Sequence, residues 1–253
     1  MTKSSFMDFR VHSYDSDAFG YICPTSIGGY LQEAAAESAS AFGFGLADLN
    51  RSGLTWVLVR EQYELDAPIR VGDSLTIETW PSGVERRAAL RDFRLLRNGR
   101  EIGRALTSWL VLETASRRPI RPSQVLPQEF HPETLHVLPV WREPIPMPCS
   151  RETERRFPLR FSDIDVNLHV TNTSYVSWAI ETVEESTWRE RWICGLDIQF
   201  LAECSLGAWV AVHTGSLESE CLVHSMTREQ DSKEIARACT RWASRPAPAG
   251  LFP

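Results

Sequence analysis

Apolar residues recur with a helical period in two places and with a strand period in several more. Ile27, Tyr30, Leu31 and Ala34 fall at i, i+3, i+4 and i+7, and Val176, Ala179, Ile180 and Val183 repeat that spacing. Such spacing lines one face of a helix, so helices are expected over about 27–40 and from about 172 onward. Thr25 or Ser26, and Asn172 or Thr173, are the candidate N-caps. The runs TWVLVREQYEL (55–65), SLTIET (74–79), LTSWLVLE (106–113) and WVAVHT (209–214) read as strands.

The two helical patterns belong to an internal repeat. Asp15-Ser16-Asp17 matches Asp163-Ile164-Asp165 at an offset of 148, and the same offset carries Tyr30 onto Trp178 and Glu33 onto Glu181. Val71-Gly72 matches Leu206-Gly207 at an offset of 135. EIGRALTSW (101–109) matches EIARACTRW (234–242) at 133, with six identities in nine positions. Each copy therefore reads as a short extended segment, an acidic loop, one long helix and several antiparallel strands. A buried helix wrapped by a curled antiparallel sheet satisfies that order, twice over, in an α+β layer arrangement. Eight of the fifteen prolines fall between Pro119 and Pro148. That density excludes a continuous helix or central strand, and the interspersed Leu138, Trp141 and Ile145 predict an ordered strap across the surface. The tail after Ser244 is expected to fray.

Composition narrows the class. With 43% hydrophobic and 24% charged residues among 253, the chain can build a globular core. No apolar run is long enough to span a membrane, and the N-terminus carries no leader-like segment, so the chain reads as cytoplasmic. The six cysteines form no CxxC pair or zinc-ligand spacing, so no metal is expected; they read as reduced, mostly buried thiols, with a disulfide framework the formal alternative. A net charge of −6 argues against nucleic acid as a partner. Between Arg86 and Arg121, however, ten arginines face three carboxylates, a local charge of +7. That stretch is either an outer sheet face with local ion pairs or a docking surface for an acidic partner.

The copies differ where chemistry would sit. Asp165, Asn167 and His169 alternate before the second helix, and in an extended stretch they would project to one side. An anion, a neutral amide and a titratable imidazole would then converge. Copy one has Asp17, Phe19 and Tyr21 at those positions. By itself the triplet could be a capped Asx turn. With the duplication it reads as one working half and one scaffold half.

Residues 163–181, DIDVNLHVTNTSYVSWAIE, resemble the signature loop and helix of plant and bacterial acyl-[acyl carrier protein] thioesterases. IQFLAEC (198–204) resembles that family's second signature, and LTWVLVREQYEL (54–65) and VGDSLTIETWPSG (71–83) agree as well. The resemblance implies two tandem hotdog domains. They would comprise an N-terminal domain over 1–120 that holds the acyl chain, a proline-rich strap over 121–155 and a catalytic C-terminal domain over 156–253. It implies hydrolysis of a fatty acyl thioester on acyl carrier protein, without a cofactor, by a site of Asp165, Asn167, His169, Glu203 and Cys204. Plant members carry a transit peptide that this chain lacks, which makes it similar to the bacterial members. Two mechanisms are open: Glu203 as general base on a water, with Asn167 and His169 polarising the carbonyl, or Cys204 as nucleophile with His169 as base. The resemblance also implies an acyl pocket in copy one, lined by residues such as Trp56, Leu58 and Trp109. Arg86, Arg87, Arg117 and Arg118 become candidates for docking an acidic carrier protein. The rival readings are an acyl-CoA thioesterase, a hotdog 3-hydroxyacyl-thioester dehydratase and a non-catalytic acyl-binding module. Further pairing into a homodimer is open.

Overall fold

Two rounds of the same element order make up the protein. A computed structural model describes residues 4–127, 136–150, 152–165, 168–218 and 221–246. The first round comprises β1 (Ser5–Arg10), α1 (Pro24–Ala41), α2 (Leu46–Arg51), β2 (Leu54–Leu65), β3 (Ser74–Glu85), β4 (Ala88–Arg97), β5 (Arg100–Glu113) and β6 (Pro119–Ile120). The second comprises β7 (Thr153–Pro158), α3 (Asn172–Glu181), α4 (Glu185–Glu190), β8 (Arg191–Phe200), β9 (Trp209–Glu218), β10 (Cys221–Arg228) and β11 (Lys233–Ser244). Strands run β1-β3-β4-β5-β2 in the first round, with β6 on β5, and β7-β9-β10-β11-β8 in the second. Every one of these pairings is antiparallel. The duplication inferred from sequence is thus a duplication of topology, α+β with one principal helix per round of strands, the hotdog arrangement.

Packing divides the chain into two units. Unit 1 is Met1–Val11, Gly28–Asp66 and Gly72–Arg142; unit 2 is His12–Ile27, Ala67–Val71 and Glu143–Pro253. The acidic loop of copy one therefore belongs to unit 2.

In unit 1, α1 buries Leu31, Ala34, Ala35 and Ser38. Ser38 accepts a hydrogen bond from the Arg91 guanidinium of β4 at 3.0 Å and another from Ser5 of β1 at 3.0 Å, which fixes the helix on the sheet. Removing Leu31 from water contributes roughly 1.5–3 kcal/mol. In unit 2, α3 buries Tyr175, Val176, Trp178 and Ala179. Trp178 stacks on Phe157 of β7 at 6.3 Å, and Tyr175 meets Phe200 of β8 edge-on at 5.5 Å. Unit 1 repeats the first of these stacks with Tyr30 of α1 on Phe9 of β1 at 4.5 Å, the positions that the 148-residue offset carries onto Trp178 and Phe157.

Several expectations need correction. α1 begins at Pro24, so Thr25 and Ser26 lie inside it; proline suits a first helical position because its missing N–H has no partner there anyway. α3 is capped by Thr171, one residue before the candidates Asn172 and Thr173. The short helices α2 and α4 were not expected, since six residues carry too little periodicity. Only Cys204 among the six free cysteines is buried; Cys149 is exposed and the rest are half-buried. Arg245 is anchored rather than frayed: it donates to the Arg191 carbonyl at 2.9 Å and to that of Trp188, and lies 4.0 Å over Phe19 and 4.5 Å over Tyr21. A guanidinium stacks and donates in its plane at once, so a chain end can be held by one residue. Residues 247–253 of the expected frayed tail lie outside the described residues.

The strap is ordered over 136–150. Leu138 is buried against Leu90 and Leu106, and Arg60 lies 4.9 Å over Trp141. Asp92, fully buried, takes the Val137 N–H at 2.7 Å and His136 Nδ1 at 2.8 Å, so the strap satisfies a core carboxylate. No helix among the described residues is long and apolar enough to cross a membrane.

Candidate active site

The loop before α3 is built by local hydrogen bonds. A single 3-10 turn, Phe161–Asp163, leads in. The Asp163 carboxylate is buried and accepts from the Arg160 N–H at 2.8 Å, the Arg160 guanidinium at 3.2 Å and the Ser174 hydroxyl at 3.1 Å. Burial works against its charge, but these donors outweigh burial and hold the carboxyl below its ordinary value. An Ile164–Val170 bridge closes the base of the loop. Within it Asp165 N–H donates to the His169 carbonyl at 2.8 Å, and His169 N–H returns a bond to Asp165 Oδ1 at 3.2 Å. Leu168 N–H donates to the Asp165 carbonyl at 3.0 Å, and Leu168 takes φ +61°. The expected extended alternation is therefore wrong: Asp165 and His169 meet because a tight turn joins them. Val166 and the candidate Asn167 lie outside the described residues.

Copy one holds the same loop bond for bond. Asp17 N–H donates to the Tyr21 carbonyl at 2.7 Å, and Tyr21 N–H to Asp17 Oδ1 at 2.9 Å. Gly20 stands where Leu168 does, at φ +77°, and a Ser16–Ile22 bridge closes the base. Glycine adopts that conformation freely, whereas a side chain such as Leu168 costs about 1–2 kcal/mol. Where copy two has His169, copy one has Tyr21, filled in by Arg245 on its ring and by Arg70, which donates to its hydroxyl at 2.9 Å. The Asp-loop is scaffold in both copies, and only the second presents an imidazole.

That imidazole meets a carboxylate. His169 Nε2 lies 3.5 Å from Glu203 Oε2, with the side chains 39% and 50% exposed. Glu203 follows β8, where Leu201 and Ala202 N–H groups donate to the Ile235 carbonyl at 2.9 and 3.1 Å. Its own carbonyl accepts from Arg228 Nη1 at 2.6 Å, while Arg228 clamps Asp231 at 2.6 Å. Glu203 is thus held through its backbone. Cys204, next in sequence, is only 2% exposed. Burial pushes its thiol up, against a smaller opposing effect of the Ser205 N–H and Arg228. Among the described residues no group of His, Cys, Asp and Glu could hold a metal ion.

Sequence reading missed three contributors. Asp163 pins the loop, Arg228 pins Glu203 from 25 residues away, and Tyr175 packs beside Cys204 with its phenol pushed up by burial. Asp163 was visible only as a repeat of Asp15; Arg228 acts through tertiary contact and leaves no local signal.

The other candidates lie in unit 1. Leu58 and Trp109 are cross-strand partners, Trp109 donates to Thr107 at 2.8 Å, and Trp56 donates to the Phe44 carbonyl at 2.9 Å. The basic stretch divides. Arg94 pairs with Glu78 and Glu101, Arg97 with Asp73, and Arg104 with Asp66 and Glu101. Arg86 and Arg87 form the β3–β4 turn, and Arg117 and Arg118 the turn after β5. Because Ala89 pairs with Trp109, both turns sit at one end of the unit 1 sheet.

Comparison with known proteins adds a family. Residues 3–129 match the model of the acyl-ACP thioesterase N-terminal domain, and residues 147–244 that of its C-terminal domain. A chloroplastic dodecanoyl-[acyl-carrier-protein] hydrolase from Cinnamomum camphora is 25% identical over 252 residues, covering 92% of this chain and 66% of the relative. A chloroplastic palmitoyl-acyl carrier protein thioesterase from Arabidopsis thaliana is 25% identical, covering 94% and 63%. The chain thus spans just under two thirds of the length of these relatives. Among solved structures, an acyl-ACP thioesterase from Bacteroides thetaiotaomicron superposes with a TM-score of 0.84 at 22% identity, covering 95% of this chain and 98% of that one. The 12:0-ACP thioesterase from Umbellularia californica gives 0.82 at 20% identity, covering 96% and 98%. At such identity the structural likeness speaks for the fold.

Proposed function

Because the chain belongs to the acyl-ACP thioesterase family, we propose that it hydrolyses a fatty acyl thioester on acyl carrier protein to free fatty acid and carrier thiol, with the chemistry in unit 2 and the setting a bacterial cytoplasm. The observation that carries this reading is the His169–Glu203 approach at 3.5 Å, on a loop whose twin keeps the aspartate and lacks the imidazole. Glu203 takes a proton from water as the water oxygen attacks the thioester carbonyl carbon. His169 and the Asn167 amide polarise the carbonyl oxygen as charge develops on it. The tetrahedral species collapses, the C–S bond breaks, and the proton held by Glu203 passes to the departing thiolate. Asp165 is a positioning residue: its Oδ1 holds the His169 N–H, as Asp17 holds Tyr21.

The thiol route fits less well. A nucleophilic cysteine needs a thiolate in reach of solvent and substrate, and Cys204 is buried with its thiol pushed up. Cys204→Ala is therefore expected to keep turnover within about tenfold of the wild type, measured by thiol release. A loss of about 10³-fold or more, the scale on which an enzyme loses its nucleophile, would reinstate the thiol route.

The acyl chain is assigned to unit 1, on the face that includes Trp56, Leu58 and Trp109. Support comes from one helix position: Ile27 of α1 stands where α3 carries the larger Tyr175, and Gly28 leaves bare backbone where α3 carries Val176. The arginine-bearing turns of unit 1 supply the charge to steer an acidic carrier protein. Reversing Arg86 and Arg87 to Glu, or Arg117 and Arg118, is expected to raise KM for the carrier-bound substrate by about tenfold at low salt, with less effect at high salt. A KM unchanged at both ionic strengths would leave those turns without a docking role. Parallel turnover on the same acyl group carried by CoA separates the two carriers, and an enoyl thioester product would mark a dehydratase instead.

A further inference from the structure

Unit 1 holds a carboxylate that the proposed chemistry does not use. Glu61, on β2, faces inward beneath α1 and is 2% exposed. Among the described residues its Oε2 has no hydrogen-bond partner. The side chain lies under Gly28, where a Cβ would come within 3.0 Å of Oε1, so the bare helix backbone is what lets the carboxyl sit there. Glu61 pairs across strands with Thr107, and Thr107 with Arg91. Arg91 in turn donates to Ser38 at 3.0 Å and Thr79 at 3.2 Å. The result is a buried polar row on the same strands as Leu58 and Trp109. The duplicated position in unit 2 is Leu196, which pairs with Thr240 as Glu61 pairs with Thr107. The fold accepts leucine at this site, so the carboxyl is an addition of copy one.

We propose that Glu61 is a specificity-determining residue that selects acyl chains bearing a hydroxyl group, its orphaned oxygen taking the partner that a plain hydrocarbon chain cannot offer. This rests on the reading that the acyl chain lies in unit 1. Burying a carboxyl oxygen against methylene groups leaves its desolvation uncompensated, whereas a ligand hydroxyl would restore the lost hydrogen bond. Burial raises the Glu61 carboxyl to about 7, so near neutrality it both accepts and donates. Sites built to hold a substrate hydroxyl discriminate strongly against analogues that lack it, because the site's own polar group is then left unpaired.

The test is a binding measurement on the full chain, which does not depend on hydrolysis. Displacement of a fluorescent fatty acid is titrated with unsubstituted and mono-hydroxylated free acids of one length, the hydroxyl being moved along the chain. The wild type is expected to prefer at least one hydroxy acid by about tenfold or more. Glu61→Gln retains most of that preference, and Glu61→Leu, which copies unit 2, removes or reverses it; Glu61→Met serves the same purpose should the leucine variant not fold. Equal affinity of the wild type for all acids, or a preference unchanged in the leucine or methionine variant, overturns the proposal. Failure of the hydrolase reading would show separately, as absence of thiol release from acyl carrier thioesters by the wild type.

Discussion

Glu203→Gln is expected to lower kcat by about 10³-fold, or roughly 4 kcal/mol of transition-state stabilisation, with KM little changed. The amide keeps the size and the hydrogen-bonding outline of the side chain but cannot take a proton from water. Because Glu203 is held through its carbonyl by Arg228 and through the Leu201 and Ala202 amides before it, the loop is expected to stay in place. Folding should therefore be near normal, and a thermal melt within a few degrees of the wild type would show that the loss is chemical. Turnover within tenfold of the wild type would remove Glu203 from the role of base.

The second large effect separates position from chemistry by using the duplication as its own control. Asp165→Ala and Asp17→Ala each delete a carboxylate that accepts a backbone N–H four residues on, at 3.2 and 2.9 Å respectively. Each should lower stability by about 1–2 kcal/mol, the net worth of one or two lost hydrogen bonds. Only Asp165→Ala should lower kcat, by about 10²-fold, the scale expected when a polarising group is displaced by an ångström. Asp17→Ala acts on a loop whose tyrosine is covered by Arg245 and Arg70, and should leave kcat within about threefold. Equal loss of activity in both variants, or in neither, would contradict the division into a working and a scaffold copy.

Much of this architecture was legible in the chain. The 148-residue offset carries not only Asp17 onto Asp165 but also the loop hydrogen bonds, the bridge and the first residue of the helix, Pro24 onto Asn172. The 133-residue offset carries Trp109 and its bond to Thr107 onto Trp242 and its bond to Thr240, at 2.8 and 2.9 Å. Repeats are legible because like residues in like order solve the same local problem. The site was legible in part. His169 and Glu203 were marked by signatures, yet the backbone bonds that join His169 to Asp165, with Leu168 in a left-handed conformation, were not. Arg228 on Glu203, and the splitting of the basic stretch into paired arginines and turn arginines, depend on strand register and tertiary contact, which no local pattern encodes. Glu61 lies within the strand run 55–65, and only its burial beneath Gly28 distinguishes it.

Every role proposed for His169, Glu203 and the arginine-bearing turns depends on release of free fatty acid from acyl carrier protein. Incubating the purified full chain with acyl carrier protein loaded with acyl groups of graded length, and following the carrier by intact mass while quantifying free acid, tests it most directly. The expected result is loss of the acyl mass from the carrier with one free acid and one free thiol per turnover, abolished by Glu203→Gln. A carrier that keeps its acyl group, or one that loses only the mass of water to give an enoyl thioester, would contradict it.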